Sequence, residues 1–203
     1  MCIDLTKEMI DLNNNRIQII DDGILNFCSM KLKNKYFDRA MPVITHSDDY
    51  GMIYVALILL SAIFDYRIDI AVKLMLALAL GSILGEGLLK HLVVRNRPIA
   101  KNPCYKLLVR LPKTTSFPSG HTTSAFAVFA VFWGLSSTLA YLFLVIALLI
   151  AFSRLYLYLH YPSDIFVGML LGLICGKLAF AMYGNIYLAH LLSQFVSFIG
   201  YII

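Results

Sequence analysis

Charge is scarce in this chain. Asp, Glu, Lys and Arg make up 14% of its 203 residues, 60% are hydrophobic, and the mean hydropathy is +0.76. A soluble domain carries roughly a quarter charged residues. The shortage excludes an ordinary soluble fold and leaves a one-domain, all-α integral membrane protein whose backbone is satisfied inside helices. Cysteine is also sparse. Cys2, Cys28, Cys104 and Cys175 show neither metal-ligand spacing nor a disulfide framework, and read as small apolar residues. No cluster of ligating side chains is visible, so neither a metal nor a cofactor is expected. Acids are missing from residues 91–119, which hold Arg95, Arg97, Lys101, Lys106, Arg110 and Lys113. The net charge of +5 thus collects in one loop and at segment ends. That pattern argues against nucleic acid and for membrane topology or anionic headgroups. The start, Met1-Cys2-Ile3-Asp4, has no basic and then apolar leader, so the apolar segments themselves are expected to direct insertion.

Apolar runs are what the chain has in quantity. Residues 1–20 are polar and too short of apolar side chains to span a bilayer. From about Ile17 to Ile44, apolar residues such as Ile24, Phe27, Tyr36 and Met41 interleave with Lys31, Lys35, Asp38 and Arg39. This pattern predicts one or two helices lying in the interface. Spans are predicted at about Tyr50–Phe64, Ile70–Val94, Thr122–Leu139, Ala140–Leu159 and Ile165–Met182, each near the ~20 residues that cross the hydrocarbon core. The tail, Ile186–Ile203, reads equally well as a sixth span or an interfacial helix. The expected architecture is a bundle of five or six transmembrane helices. A polar segment and amphipathic helices occupy 1–45, the transmembrane domain 46–184 and the apolar tail 185–203.

Three short stretches carry chemistry. Lys90, Arg97 and Pro98 end the second span. An ammonium and a planar guanidinium can hold phosphate oxygens, though both residue types also snorkel at helix ends. Glu86 precedes Lys90 by four residues, close enough to orient it or to form a purely structural pair. Pro118-Ser119-Gly120-His121 opens the third span. Its glycine lets an anion approach the backbone, its serine adds a donor, and the new helix offers unpaired N–H groups. His121 can protonate a leaving group or simply cap the helix. Ser153-Arg154 ends the fourth span, and His160 and Asp164 flank the start of the fifth. A carboxylate accepting from one imidazole nitrogen would fix the tautomer and leave the other nitrogen free to attack phosphorus. Asp164 can equally serve as a helix cap. With the spans counted in order, all three stretches emerge on one face of the membrane.

The stretches K-x6-R-P, P-S-G-H and S-R-x5-H-x3-D resemble the three-part signature of the type 2 phosphatidic acid phosphatase superfamily, over roughly Ile44 to Gly184. The match has no substitution at a signature position. The resemblance implies a metal-independent lipid phosphatase of the undecaprenyl-diphosphatase or phosphatidylglycerophosphatase kind. His160 would be the nucleophile that forms a phosphohistidine, Asp164 would orient it, and His121 would be the general acid. Lys90, Arg97, Ser119, Gly120 and Arg154 would hold the phosphoryl group, with Glu86, Pro98 and Pro118 supporting them. The implied partners are a phosphorylated lipid, with undecaprenyl diphosphate favoured, and the bilayer. The implied location is the cell membrane, crossed several times.

Loop charge and family resemblance point to opposite faces of the membrane. The positive-inside rule favours a cytoplasmic site because of the basic loop. The family resemblance favours the outward face, and that orientation is preferred here. Two rival classes are a catalytically silent lipid-binding protein and a vanadate-dependent haloperoxidase. The retained histidines and Arg154 argue against the first, and the hydropathy argues against the second.

Overall fold

A computed structural model describes residues 16–46, 54–59, 68–101 and 105–202. The polar start before residue 16, most of the expected first span, Cys2, Cys104 and the turn around Arg67 lie outside the described residues. All regular structure among the described residues is helical. We number the helices α1 (16–26, continued by a π turn, Phe27–Lys31), α2 (Lys35–His46), α3 (54–59), α4 (Ile68–Leu92), α5 (Gly120–Gly134), α6 (Leu139–Tyr156) and α7 (Pro162–Ile202). By length and composition, Ile68–Leu92, Leu139–Tyr156 and Pro162–Asn185 can each cross a membrane.

The expected amphipathic region forms two helices. Along α1, Ile17, Ile20, Ile24 and Phe27 are exposed, while Asp21, Leu25 and Cys28 turn inward at spacings of four and three. The Asn34 side chain accepts from the backbone N–H groups of Tyr36 and Phe37, both at 3.0 Å, and so caps the start of α2. Phe37 of α2 then meets Phe152 and Tyr156 of α6 edge-on.

Two boundaries differ from expectation. The third span ends at Gly134 rather than Leu139, because Ser136 takes a φ of 51° and closes a polar turn before α6 begins. The resulting helix is only 15 residues long, yet most of it is buried, since α4, α6 and α7 pack around it. It is the bundle's central column, apolar on every side. The tail is not a separate element. Residues 162–202 form one helix of 41 residues, about 60 Å at 1.5 Å per residue. Gly184 weakens a helix without breaking it, and no proline follows it.

The α5–α7 seam sets the packing. Gly168, Gly172 and Gly176 repeat every fourth residue on α7 and face Thr123, Ala127 and Ala130 of α5. A Cβ at Gly168 would sit 2.7 Å from the Ser119 carbonyl oxygen, and one at Gly172 would sit 2.9 Å from the Ala127 backbone nitrogen. Small residues allow this approach of two backbones, which in lipid provides the main packing gain. Midway along α4, Ser82–Leu89 widens into a π segment, a local form often found at functional sites. Lower in α4, Lys73 pairs with Asp69 at 3.2 Å and lies 4.5 Å from the Tyr183 ring and 4.9 Å from the Phe180 ring, so this intramembrane cation is partnered.

Gly172→Ala should cost about 1–3 kcal/mol by overpacking the seam, read as a lower Tm in detergent. Gly23→Ala, where an added Cβ meets nothing within 4 Å, should leave Tm unchanged or raised.

Candidate active site

The loop after α4 carries the first stretch, and hydrogen bonds fasten it to residues 114–116, just before the second. The Ser116 backbone N–H donates to the Arg95 carbonyl at 2.9 Å. Arg97 Nε donates to the Thr114 carbonyl at 2.9 Å, and its terminal nitrogen reaches the Thr115 carbonyl at 3.2 Å. The second stretch is bonded in turn to the third, through the Ser119 N–H and the Asp164 carbonyl at 3.2 Å. The three sequence stretches therefore meet at one end of the bundle.

His160 sits in the turn between α6 and α7 and is 2% exposed. Its Nδ1 lies 2.7 Å from the Ser116 carbonyl oxygen, and its Nε2 lies 3.1 Å from an Arg97 terminal nitrogen. A guanidinium only donates and a carbonyl only accepts. The proton is therefore on Nδ1, and Nε2 carries the lone pair. Arg97 also donates to the Leu159 carbonyl at 3.0 Å, so its guanidinium is fixed beside Nε2. Burial is the main cause that pushes the His160 pKa down, to about 3. Asp164 opposes the shift, while Arg154 and Arg97 add to it. The imidazole is neutral at neutral pH. Burial also lowers Arg97, to about 10, with Asp164 and Glu86 opposing, and Arg97 keeps its charge.

Asp164 corrects one expectation. Its Oδ2 stands 3.8 Å from His160 Nδ1, in electrostatic contact but beyond hydrogen-bond range. The Ser116 carbonyl, not the carboxylate, takes the imidazole proton. The reason lies in the first turn of α7. Asp164 reaches back to the Tyr161 N–H at 2.9 Å, with Pro162 between them at the first helical position, as in the carboxylate half of a capping box. Its other oxygen accepts from Arg95 at 2.7 Å.

The remaining expected residues fall around this centre. Lys90 pairs with Glu86 and reaches the Thr114 hydroxyl at 3.3 Å. The Glu86 carboxylate lies against Gly120, leaving no room for a Cβ there. Arg154 is buried and donates to the Thr45 hydroxyl of α2. The Ser119 hydroxyl is fully buried and shares a hydrogen bond of 2.9 Å with Thr122. His121 is half-buried on the first turn of α5, and Pro98 and Pro118 are buried at its approach. Sequence reasoning missed Ser116, Thr114, Thr45, Arg95 and Asp21 as parts of the site. Only Arg95 had a local signal, as a second arginine two residues before Arg97.

Lys90, Arg95, Arg97 and Arg154 face Glu86, Asp21 and Asp164, four cations against three carboxylates. The excess positive charge suits a phosphoryl group. The class these features define is a helical membrane protein with a histidine and a cluster of paired cations and carboxylates at one end. The chain belongs to the PAP2 superfamily, whose family model matches residues 70–188, more than half of its length.

Relatives narrow the comparison. The chain is 39% identical over 98 residues to the decaprenylphosphoryl-5-phosphoribose phosphatase of Mycobacterium tuberculosis, covering 48% of this chain and 53% of that one. It is 34% identical over 127 residues to the undecaprenyl-diphosphatase of Sulfolobus acidocaldarius, covering 61% and 59%. The matches thus span little more than half of these relatives. Its fold is similar to the transmembrane PAP2-type phosphatidylglycerolphosphate phosphatase of Bacillus subtilis, with a TM-score of 0.69, 26% identity and coverage of 85% and 88%.

His160 also predicts how stability responds to acid. The folded site refuses a proton that the unfolded chain accepts near pH 6.5. Stability should therefore be intact above pH 6.5 and fall below it, by up to about 1.4 kcal/mol per pH unit from this group. Thermal melting from pH 7 to pH 4 checks this, and His160→Ala should flatten part of the slope.

Proposed function

We propose that the protein is a metal-independent membrane lipid phosphatase working through a phosphohistidine, with undecaprenyl diphosphate as its favoured substrate. The observation that carries this reading is the neutral His160, its Nε2 lone pair 3.1 Å from Arg97. Arg97, Arg154 and Lys90 hold the terminal phosphate. Ser119 and Gly120 bring the start of α5 against it. As the phosphate oxygens take over the Arg97 donor, Nε2 is released to attack phosphorus, and the bond to the leaving lipid oxygen breaks as His121 donates its proton there. Water then attacks the phosphohistidine, His121 takes the water proton, and inorganic phosphate leaves. Asp164 and the Ser116 carbonyl stabilise the imidazolium that forms during transfer. Fixed cations supply the charge stabilisation that phosphoryl transfer requires.

Similarity to proteins named for polyprenyl substrates supports the isoprenoid choice. A cavity of about 560 Å³ beside the site, lined by Ile17, Val93, Val94 and Phe117 with Gln18, Arg95 and Ser163, has apolar and polar walls that suit a lipid chain and its polar head. The fold likeness to a phosphatidylglycerolphosphate phosphatase favours the alternative, a phosphatidylglycerophosphate or phosphatidate substrate. The outward face of the cell membrane is the proposed orientation. Arg95 and Lys101 pair with Asp21 and Asp22 of α1, which reduces the loop charge that argued for the cytoplasm.

Purified protein in detergent with EDTA should release phosphate from undecaprenyl diphosphate faster than from phosphatidylglycerophosphate or phosphatidate, and His160→Ala should abolish turnover. Loss of activity on chelation would refute the metal-free mechanism. Folded wild-type protein that releases nothing would favour the non-catalytic lipid-binding alternative. His121→Ala should slow lipid substrates by about 10²–10⁴-fold and nitrophenyl phosphate much less, because a good leaving group needs no proton. Equal loss on both would refute the general-acid role.

A further inference from the structure

The least expected residue at the site comes from the amphipathic N-terminal helix. Asp21 is 2% exposed, and its carboxylate takes three bonds from the catalytic end of the bundle. The Ser163 backbone N–H donates to it at 2.9 Å, the Ser163 hydroxyl at 2.6 Å and an Arg95 terminal nitrogen at 2.7 Å. The other terminal nitrogen of Arg95 donates to Asp164 at 2.7 Å and to the Ser163 hydroxyl at 2.7 Å. The guanidinium also lies 4.0 Å from the centre of the Tyr161 ring. One guanidinium is thus divided between two buried carboxylates, one nitrogen to each, with a longer bond of 3.3 Å from the Asp21-bound nitrogen to Gln18 Oε1.

We infer that Asp21 is a positioning residue for the reaction, acting through Arg95 to hold Asp164 at its distance from His160. The inference rests on the lipid phosphatase reading above. With Asp21 in place, Arg95 cannot rotate to offer Asp164 both nitrogens. A bidentate pair is the stronger arrangement for an isolated arginine and carboxylate. It would draw Asp164 toward Arg95 and away from the imidazole, and weaken its support of the imidazolium. Asp21 also pairs the Ser163 N–H in the first turn of α7, which fixes the base from which Asp164 projects. Helix α1 thereby completes the site, although it lies outside the three signature stretches.

The full chain in detergent is assayed with undecaprenyl diphosphate and with nitrophenyl phosphate. Asp21→Asn should lower kcat by about 10–100-fold with KM within about threefold, the pattern of an interaction made in the transition state. Asp21→Glu should recover much of the loss. Asp22→Asn, one residue along and paired with Lys101, should match wild type. The deciding measurement repeats Asp21→Asn in an Asp164→Asn background. If Asp21 acts through Asp164, its loss should then change kcat by less than about twofold, whereas independent effects would multiply. A full Asp21→Asn loss in both backgrounds, or a lower Tm with kcat unchanged, makes Asp21 a fold anchor and overturns the inference. Wild-type kcat in Asp21→Asn overturns it while the phosphatase reading stands. No turnover by folded wild type on either substrate overturns both.

Discussion

The site depends on one clamped imidazole. His160 is held between a backbone carbonyl on one nitrogen and a guanidinium on the other. Neither partner can exchange roles, so the tautomer is set by the chemistry of the partners and not by a titration. Because the ring is buried and neutral, Nε2 carries a lone pair at physiological pH without a separate base. The Arg97 bonds, the packed loops and the first turn of α7 together fix the position of the ring.

Such a site carries a solvation problem. The buried carboxylates of Asp21 and Asp164 and the buried guanidiniums of Arg97 and Arg154 lie at the end of a bundle whose walls are apolar. Buried ion pairs seldom repay their desolvation unless further hydrogen bonds satisfy them. Here backbone carbonyls of Thr114, Thr115 and Leu159 satisfy Arg97, and hydroxyls of Thr45 and Ser163 serve Arg154 and Arg95. The loops around the site are thus structured by the charges they accommodate. The apolar α5–α7 seam underneath supplies the rigidity, because two backbones in contact through glycine leave no slack for the two helix starts that bear Ser119 and Asp164.

Much of this was legible in the sequence. The three stretches, their placement at span ends and their common face follow from spacing and from counting apolar runs, and the structure joins them by direct bonds. What escaped was the set of contacts that only folding creates. Ser116 acts through its carbonyl, which every residue has, so its side chain gives no clue. Asp21 is more than a hundred residues from Asp164 and looks like an ordinary polar residue of an amphipathic helix. The histidine–carboxylate bond was expected from a spacing of four, but residue 164 is committed to the cap of α7 and to Arg95. The glycine repeat of α7 was visible, yet hydropathy alone reads it only as part of a span.

The turn that bears His160 has a mechanical consequence. It comprises residues 157–161 alone, strung between α6 and α7, and Tyr158 within it adopts a left-handed φ of 61°. That conformation costs a non-glycine residue on the order of 1–2 kcal/mol and persists only where the surroundings impose it. A link of five residues couples the placement of the imidazole to the relative placement of the two helices it joins.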